Sequence, residues 1–403
     1  MSVELLAARM GKVKPSPVIA IADRAKAMKA EGKDVIGLAQ GEPDMGTPAH
    51  ICDAAIRAIR EGQTRYTPVD GTPALKRTIA QKFSRDHGLT FTADEIIVCT
   101  GGKQVLYNAL VATICPGDEV LIPAPYWVSY PDMVNLADGN PVAIACAEGD
   151  GFKLSPERLE RAITAKTRWL ILNSPSNPTG AVYSRRELQA IGEVLRAHPR
   201  VLVMSDDIYE KMLYDGTGFS TIAEAVPGMA ERVLTVNGVS KTYCMTGWRI
   251  GYGAGPGWLI AAMAAIQSQS TSNPSSVSQA AAQEALNGPQ DFIKANNAAF
   301  LRRRDLVVRM LGECEGLHCP VPQGAFYVYP GCAGVLGRST PQGRRIDSDL
   351  QFCDALLDEK LVALVPGMAF GLSPYFRISC ATSEEMLTEA CGRVRAFCES
   401  LRG

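Results

Sequence analysis

Between residues 49 and 236, short apolar runs alternate with stretches whose apolar residues recur every three or four positions. Residues 49–61, 73–87, 104–114, 155–164 and 185–197 carry this helical period, and a further helix is expected from Tyr130. Residues 95–99, 119–122, 142–145, 168–172, 201–204 and 232–236 are compact apolar runs of strand type. Strands alternating with helices predict a mostly parallel sheet sandwiched by helices, since a parallel crossover has to span the length of the sheet. A second strand-like run, residues 250–254, follows 232–236 closely.

The last third changes character. Long helical patterns cover residues 257–269, 278–286 and 290–311, short strands are expected near 325–329, 362–365 and 376–379, and a helix closes the chain from Ser383. The fold class read from this order is α/β: a large domain over residues 46–295 and a smaller α+β domain over 296–403. Residues 1–45 are expected to pack with the smaller domain, and the helix at the boundary is expected to bridge both.

The chain of 403 residues is long enough for two such domains. A net charge of −1 leaves no electrostatic footprint for nucleic acid or an anionic membrane. The basic triplet Arg302 to Arg304 reads as a solvated helix face. Twelve cysteines lie in apolar segments without paired spacing, and the four histidines are dispersed, so reduced core thiols are expected and no metal site. Residues 1–14 lack a long apolar core, and no run of about 18 apolar residues occurs, which points to a soluble cytoplasmic protein.

The chemistry concentrates around Asn237-Gly-Val-Ser-Lys241-Thr-Tyr-Cys-Met-Thr-Gly-Trp-Arg249. Lys241 follows an apolar strand at the edge where an open sheet delivers side chains into a crevice. A partly desolvated amine beside a guanidinium loses proton affinity and becomes a carbonyl nucleophile, while Arg249 keeps its charge and suits a phosphate. Three more groups fall at strand ends. Gly101-Gly102-Lys103 opens a helix whose free N–H groups form a phosphate cradle. Asn177 stands in the turn-rich Asn173-Ser-Pro-Ser-Asn177-Pro-Thr-Gly180, by itself an ordinary surface turn. Asp206 follows an apolar run and needs a partner there. Trp127 alone would read as a core tryptophan. Arg377 sits in a strand-like run without a local acidic partner, which favours a carboxylate ligand over solvent. Gly251-x-Gly253-x-Gly255 opens with a strand rather than a helix and reads as close backbone packing, not a dinucleotide fingerprint.

These residues resemble the class I aminotransferase family, in which a small residue, an apolar residue and Ser precede the Schiff-base lysine and an Arg follows eight positions on. Cys244 stands where Ala or Ser is expected. The resemblance runs the full chain and implies the fold of type I pyridoxal phosphate enzymes, pyridoxal 5'-phosphate as cofactor and a homodimer. It implies that Asp206 pairs with the pyridine nitrogen, a contact of about 5 kcal/mol before desolvation, and that Tyr209 and Asn177 reach the phenolic oxygen. Trp127 would stack on the ring. Gly101, Gly102, Lys103, Ser240 and Arg249 would surround the cofactor, with Tyr66 reaching the phosphate from the neighbouring subunit. Gly238 stands where the family often has Ser. On the substrate side, Arg377 would take the α-carboxylate, Gly41 lies in a substrate-facing loop, and Trp127 and Asn177 line the same space.

The implied reaction is transamination, with Lys241 as the base that moves the proton. Within the family, the chain is most similar to bacterial aspartate aminotransferases of the subgroup that also holds prephenate aminotransferases. In that subgroup a Lys after the two glycines binds the distal carboxylate, and Lys103 matches it. L-aspartate and 2-oxoglutarate are therefore the expected pair. Val18, at the end of Lys14-Pro-Ser-Pro-Val18, replaces a hydroxyl common in relatives. The alternatives are an aromatic or prephenate aminotransferase, a lyase or synthase of the same fold, and a cofactor-binding regulator; no added helix-turn-helix domain supports the last.

Overall fold

The computed structural model describes residues 6–13 and 17–403, so most of the Lys14-to-Val18 segment, and the first five residues, lie outside the described residues. The strands are, in chain order, β1 Ile36–Gly37, β2 Ile96–Cys99, β3 Glu119–Ala124, β4 Asn140–Ala145, β5 Thr167–Asn173, β6 Leu202–Asp206, β7 Val233–Gly238, β8 Gly251–Ala254, β9 Tyr327–Val328, β10 Val362–Ala363, β11 Val365–Pro366 and β12 Phe376–Ser379. Seven of them form one sheet in the order β2-β8-β7-β6-β5-β3-β4. Every pairing is parallel except the two made by β8.

Both faces of this sheet are apolar, as a parallel sheet between helices requires. Ile97, Ile122, Ile171, Met204, Leu234 and Val236 face the helices Gly102–Thr113 and Gly257–Ser270 through Val105, Leu106, Leu259 and Met263. Their strand neighbours Leu121, Leu170, Leu172, Val203 and Val233 point the other way, onto Leu188, Ile191 and Leu195 of Arg185–Ala197. The alternation along each strand is the period of two that places successive side chains on opposite faces.

The C-terminal part holds a three-stranded antiparallel sheet, β11-β12-β9. Residues 362–365, expected as one strand, are two: β10 pairs in parallel with β1, and β11 beyond Leu364 pairs with β12. The chain switches partners there because the N-terminal segment and the C-terminal sheet flank it on different sides. Helix Asp291–Gly312 spans two cores. Phe300 packs with Tyr209 and Tyr214, whereas Val307 and Leu311 pack with Phe376, Ile378 and Val394.

The basic triplet on this helix is not a uniformly solvated face. Arg302 is exposed, but Arg303 pairs with Asp44 at 2.8 Å. Arg304 is buried, bonding Asp215, Asp305 and the Pro322 carbonyl. A triplet of consecutive residues turns through about 200° of a helix, so its members cannot share one surface. All twelve cysteines are free, nine of them buried. Among the described residues no helix is long and apolar enough to cross a membrane.

Candidate active site

The sheet delivers its chemistry along one edge. β2 ends two residues before Gly101, β5 ends four residues before Asn177, Asp206 is the last residue of β6, and β7 ends three residues before Lys241. Because β8 runs the opposite way, its first residue Gly251 pairs with the last residues of both neighbours, Gly238 and Cys99. Arg249, just before β8, therefore enters at the same edge. The cleft there is lined by Gly41, Gly102, Lys103, Trp127, Asn177, Asp206, Tyr209, Ser240, Lys241, Arg249 and Arg377. Of the candidate site residues named from the sequence, Gly101 and Tyr66 are not in that lining.

Gly101 has a structural reason to be glycine. It caps helix Gly102–Thr113 with φ of 87°, and a Cβ there would overlap the Arg249 guanidinium. Arg249 itself adopts a left-handed conformation, φ 54° and ψ 53°, and donates to the Thr246 carbonyl at 2.9 Å. The Gln104 N–H turns back to the Gly101 carbonyl at 3.1 Å, while the Gly102 and Lys103 amides at the helix start, with the guanidinium beside them, suit an anion. Gly251 packs directly on the Gly102 backbone, and a Cβ at Gly253 would come within 2.7 Å of Val105. The glycine run is thus a close approach of backbones. A Cβ at Gly238 would lie 3.0 Å from the Ile250 carbonyl, leaving little room for the serine common in the family; Ser240 lines the cleft instead.

Lys241 donates to the Gly41 carbonyl. Burial, aided by the Arg249 and Arg377 charges and opposed by Glu42 and Asp206, lowers its ammonium to about 8. Asp206 is buried and accepts from the Tyr130 hydroxyl at 2.7 Å. Burial raises its carboxyl to about 6 against the pull of that bond, of the Ile208 N–H and of Lys241. Arg377 is 2 % exposed. It donates to Asn177 Oδ1 at 2.9 Å and the Ala39 carbonyl at 2.6 Å, while its buried Nε has no partner. At the mouth, Lys103 Nζ lies 4.8 Å from the Trp127 ring centre. Desolvation in the cleft, with Arg249 nearby, pushes its ammonium down, and Asp132 opposes this.

Tyr66 is 91 % exposed, away from the cleft. Several cleft residues carry no sequence signal of their own. Tyr130 bonds Asp206, Tyr327 bonds Tyr209, and Asn173 bridges the Asp206 carbonyl and the Asn177 amide. The place of Tyr130 three residues after Trp127 is the one local signal that could have drawn attention to any of them. Val18, Ile19, Leu106 and Val128 add an apolar wall.

An activated amine, a buried carboxylate, a partly unsatisfied arginine and an anion-binding helix start define a site for carbonyl chemistry on an anionic ligand. The family model described as Aminotransferase class I and II matches residues 33–394, and the chain belongs to that family. It is similar to the aspartate/prephenate aminotransferase of Cereibacter sphaeroides, 59% identical over 97% of this chain and 98% of the relative. It is 56% identical to the aspartate aminotransferase of Rhizobium meliloti over 98% and 96%. The crystal structure of the R. meliloti aspartate aminotransferase superposes with a TM-score of 0.97 at 56% identity, covering 98% and 99% of the two chains. The Thermus thermophilus aspartate aminotransferase with maleate gives 0.90 at 41% identity over 97% and 99%.

The family's cofactor is pyridoxal phosphate. The donor set fits that group: an anion-binding helix start with Arg249 and Ser240 for a phosphate, Asp206 buried for a ring cation, and Lys241 lowered toward the neutral amine an aldehyde requires.

Proposed function

We propose that this chain transfers an amino group between L-aspartate and 2-oxoglutarate, giving oxaloacetate and L-glutamate. The observation that carries the reading is the pairing of two cations across one cleft: Arg377 with its buried, unpartnered Nε, and Lys103 at the mouth. Two fixed cations select a substrate with two carboxylates. The maleate bound to the T. thermophilus relative is a four-carbon dicarboxylate and supports the same substrate class.

In this reading Arg249, Ser240 and the first amides of helix Gly102–Thr113 hold the phosphate, with Gly101 shaping their turn. Trp127 would cover the ring, Asp206 would face its nitrogen, and Asn177 and Tyr209 would reach its phenolic oxygen. The bound cofactor supplies an aldehyde for the amine and an electron-withdrawing ring. Lys241 would hold it covalently and, once freed by the substrate amine, would take the proton from the substrate α-carbon and deliver it to the former aldehyde carbon, across the intervening nitrogen. Asp206, desolvated in the cleft, would favour a protonated ring nitrogen beside it. Arg377 orients the α-carboxylate beside the Gly41 loop.

The division into residues 46–295 and 296–403, with 1–45 on the smaller part, puts Arg377 on a different body from Lys241. Closing the cleft on a substrate carboxylate then also excludes water. Tyr66, solvent-exposed in the single chain, is suited to reach the phosphate in a second copy, which makes the working form a homodimer. Twelve free cysteines fit a reducing compartment, and we assign the enzyme to the cytoplasm. The apolar wall beside Lys103 supports a second acceptor, a ring-bearing oxo acid such as prephenate, in line with the name of the C. sphaeroides relative.

The test is the absorbance of cofactor-loaded protein before and after L-aspartate alone. Loss of the visible band with stoichiometric oxaloacetate is expected. A band that ignores aspartate but responds to an aromatic amino acid would overturn the substrate; no band at all would overturn the role of Lys241.

A further inference from the structure

Tyr327 lies where three parts of the cleft meet. It sits on β9, opposite Ser379 of β12 and so two positions from the register of Arg377. It is 1 % exposed, yet it lines the cleft. The Arg377 guanidinium carbon lies 4.5 Å from its ring centre, with the Phe370 ring at 5.0 Å from the same carbon. Its hydroxyl is 2.9 Å from that of Tyr209. Gly41, whose carbonyl accepts from Lys241, packs on the same hydroxyl: a Cβ at Gly41 would stand 2.9 Å from it.

We propose that Tyr327 is a positioning residue for the reaction, its ring holding the Arg377 guanidinium and its hydroxyl aiming the Tyr209 hydroxyl into the cleft. The inference rests on the aminotransferase reading above. Only one proton lies between two bonded hydroxyls. If Tyr209 donated to Tyr327, its proton would point away from a ligand oxygen. When Tyr327 donates, Tyr209 accepts and its own O–H is free to point inward. The guanidinium over the Tyr327 ring favours this direction, because a nearby cation makes a phenol the stronger donor. The ring also offers Arg377 an electron-rich face without competing for the N–H groups a carboxylate needs.

The two functions separate by substitution. Tyr327→Phe keeps the ring and removes the hydroxyl; Tyr327→Leu removes both. In cofactor-loaded protein without substrate, Tyr327→Phe is expected to move the pH midpoint of the visible absorbance and to lower kcat roughly three- to tenfold, with KM for L-aspartate little changed. Tyr327→Leu is expected to raise KM roughly five- to tenfold in addition. In a Tyr209→Phe background the further effect of Tyr327→Phe should vanish. A Tyr327→Phe protein with wild-type midpoint and kcat would overturn the hydroxyl's role, as would an undiminished effect in the Tyr209→Phe background. Equal KM in the Phe and Leu variants would overturn the ring's role. A wild type that never develops the visible band would instead remove the aminotransferase reading, and this inference with it.

Discussion

Lys241 is caught between burial, which costs its charge, and Asp206 and Glu42, which favour it; burial wins and brings the ammonium to about 8. An amine attacks an aldehyde only when neutral. The neutral fraction grows as pH rises through about 8, so the rate at which apoprotein takes up pyridoxal phosphate should climb about tenfold per pH unit below that value and level off above it. A flat stopped-flow profile from pH 6.5 to 9 would show that the amine is not limiting. Lys241→Ala should lose turnover by several orders of magnitude while still binding the cofactor. Lys103 is a test of substrate rather than chemistry: Lys103→Met should raise KM selectively for dicarboxylic substrates. Equal losses for aspartate and an aromatic amino acid would place Lys103 in the general machinery.

β6 ends in Asp206, and the segment after it carries Tyr209 and continues straight into Glu210, which is buried. Glu210 pairs with Lys82 and accepts from His87 Nε2 at 2.7 Å, both from helix Pro73–His87. Burial raises the Glu210 carboxyl, but Lys82 and His87 outweigh it and hold the group at about 2. A folded-state value below the ordinary glutamate value of 4.5 means that the interaction stabilises fully above that value and is lost as pH falls toward 2. Removing one partner of a buried pair typically costs about 3–5 kcal/mol because the other charge is stranded. Lys82→Met should therefore lower the thermal midpoint clearly and flatten the acid limb of stability below pH 4.5. A wild-type melting curve would mean that the pair contributes nothing. The helix start at Gly102 is equally constrained: Gly101→Ala should weaken cofactor binding through the clash with Arg249, detectable by equilibrium dialysis.

At the scale of the molecule, the exposed Tyr66 is the residue through which the proposed homodimer can be tested. If a second copy supplies Tyr66, sedimentation equilibrium should give a dimer at micromolar concentration. Tyr66→Phe should then loosen the cofactor about fivefold, as expected for one lost hydrogen bond, without altering the monomer fold. A monomer with full cofactor affinity would discard the shared site.

Much of this was written in the sequence. The alternation of apolar runs with helical periods predicted the doubly covered parallel sheet, because side-chain period and crossover length are local properties. Helices Pro73–His87 and Arg185–Ala197 fell on their expected residues, with Thr72 and Ser184 as caps. The strand-end residues Lys241, Asp206, Asn177 and Gly102 were legible because strand ends of an open sheet share one edge, and motif spacing marked them. Other features depended on approach in space. Residues 362–365 divide between two sheets, and Arg304 turns inward to Asp215. Tyr130 and Tyr327 reach Asp206 and Tyr209 across 76 and 118 residues. A tyrosine in an apolar run has the same local pattern whether its hydroxyl meets water, a carbonyl or a catalytic phenol. Sequence therefore determined the elements and the edge where chemistry gathers. Only the tertiary structure decided which hydroxyls and guanidinium face each other there, since those contacts join segments far apart in the chain.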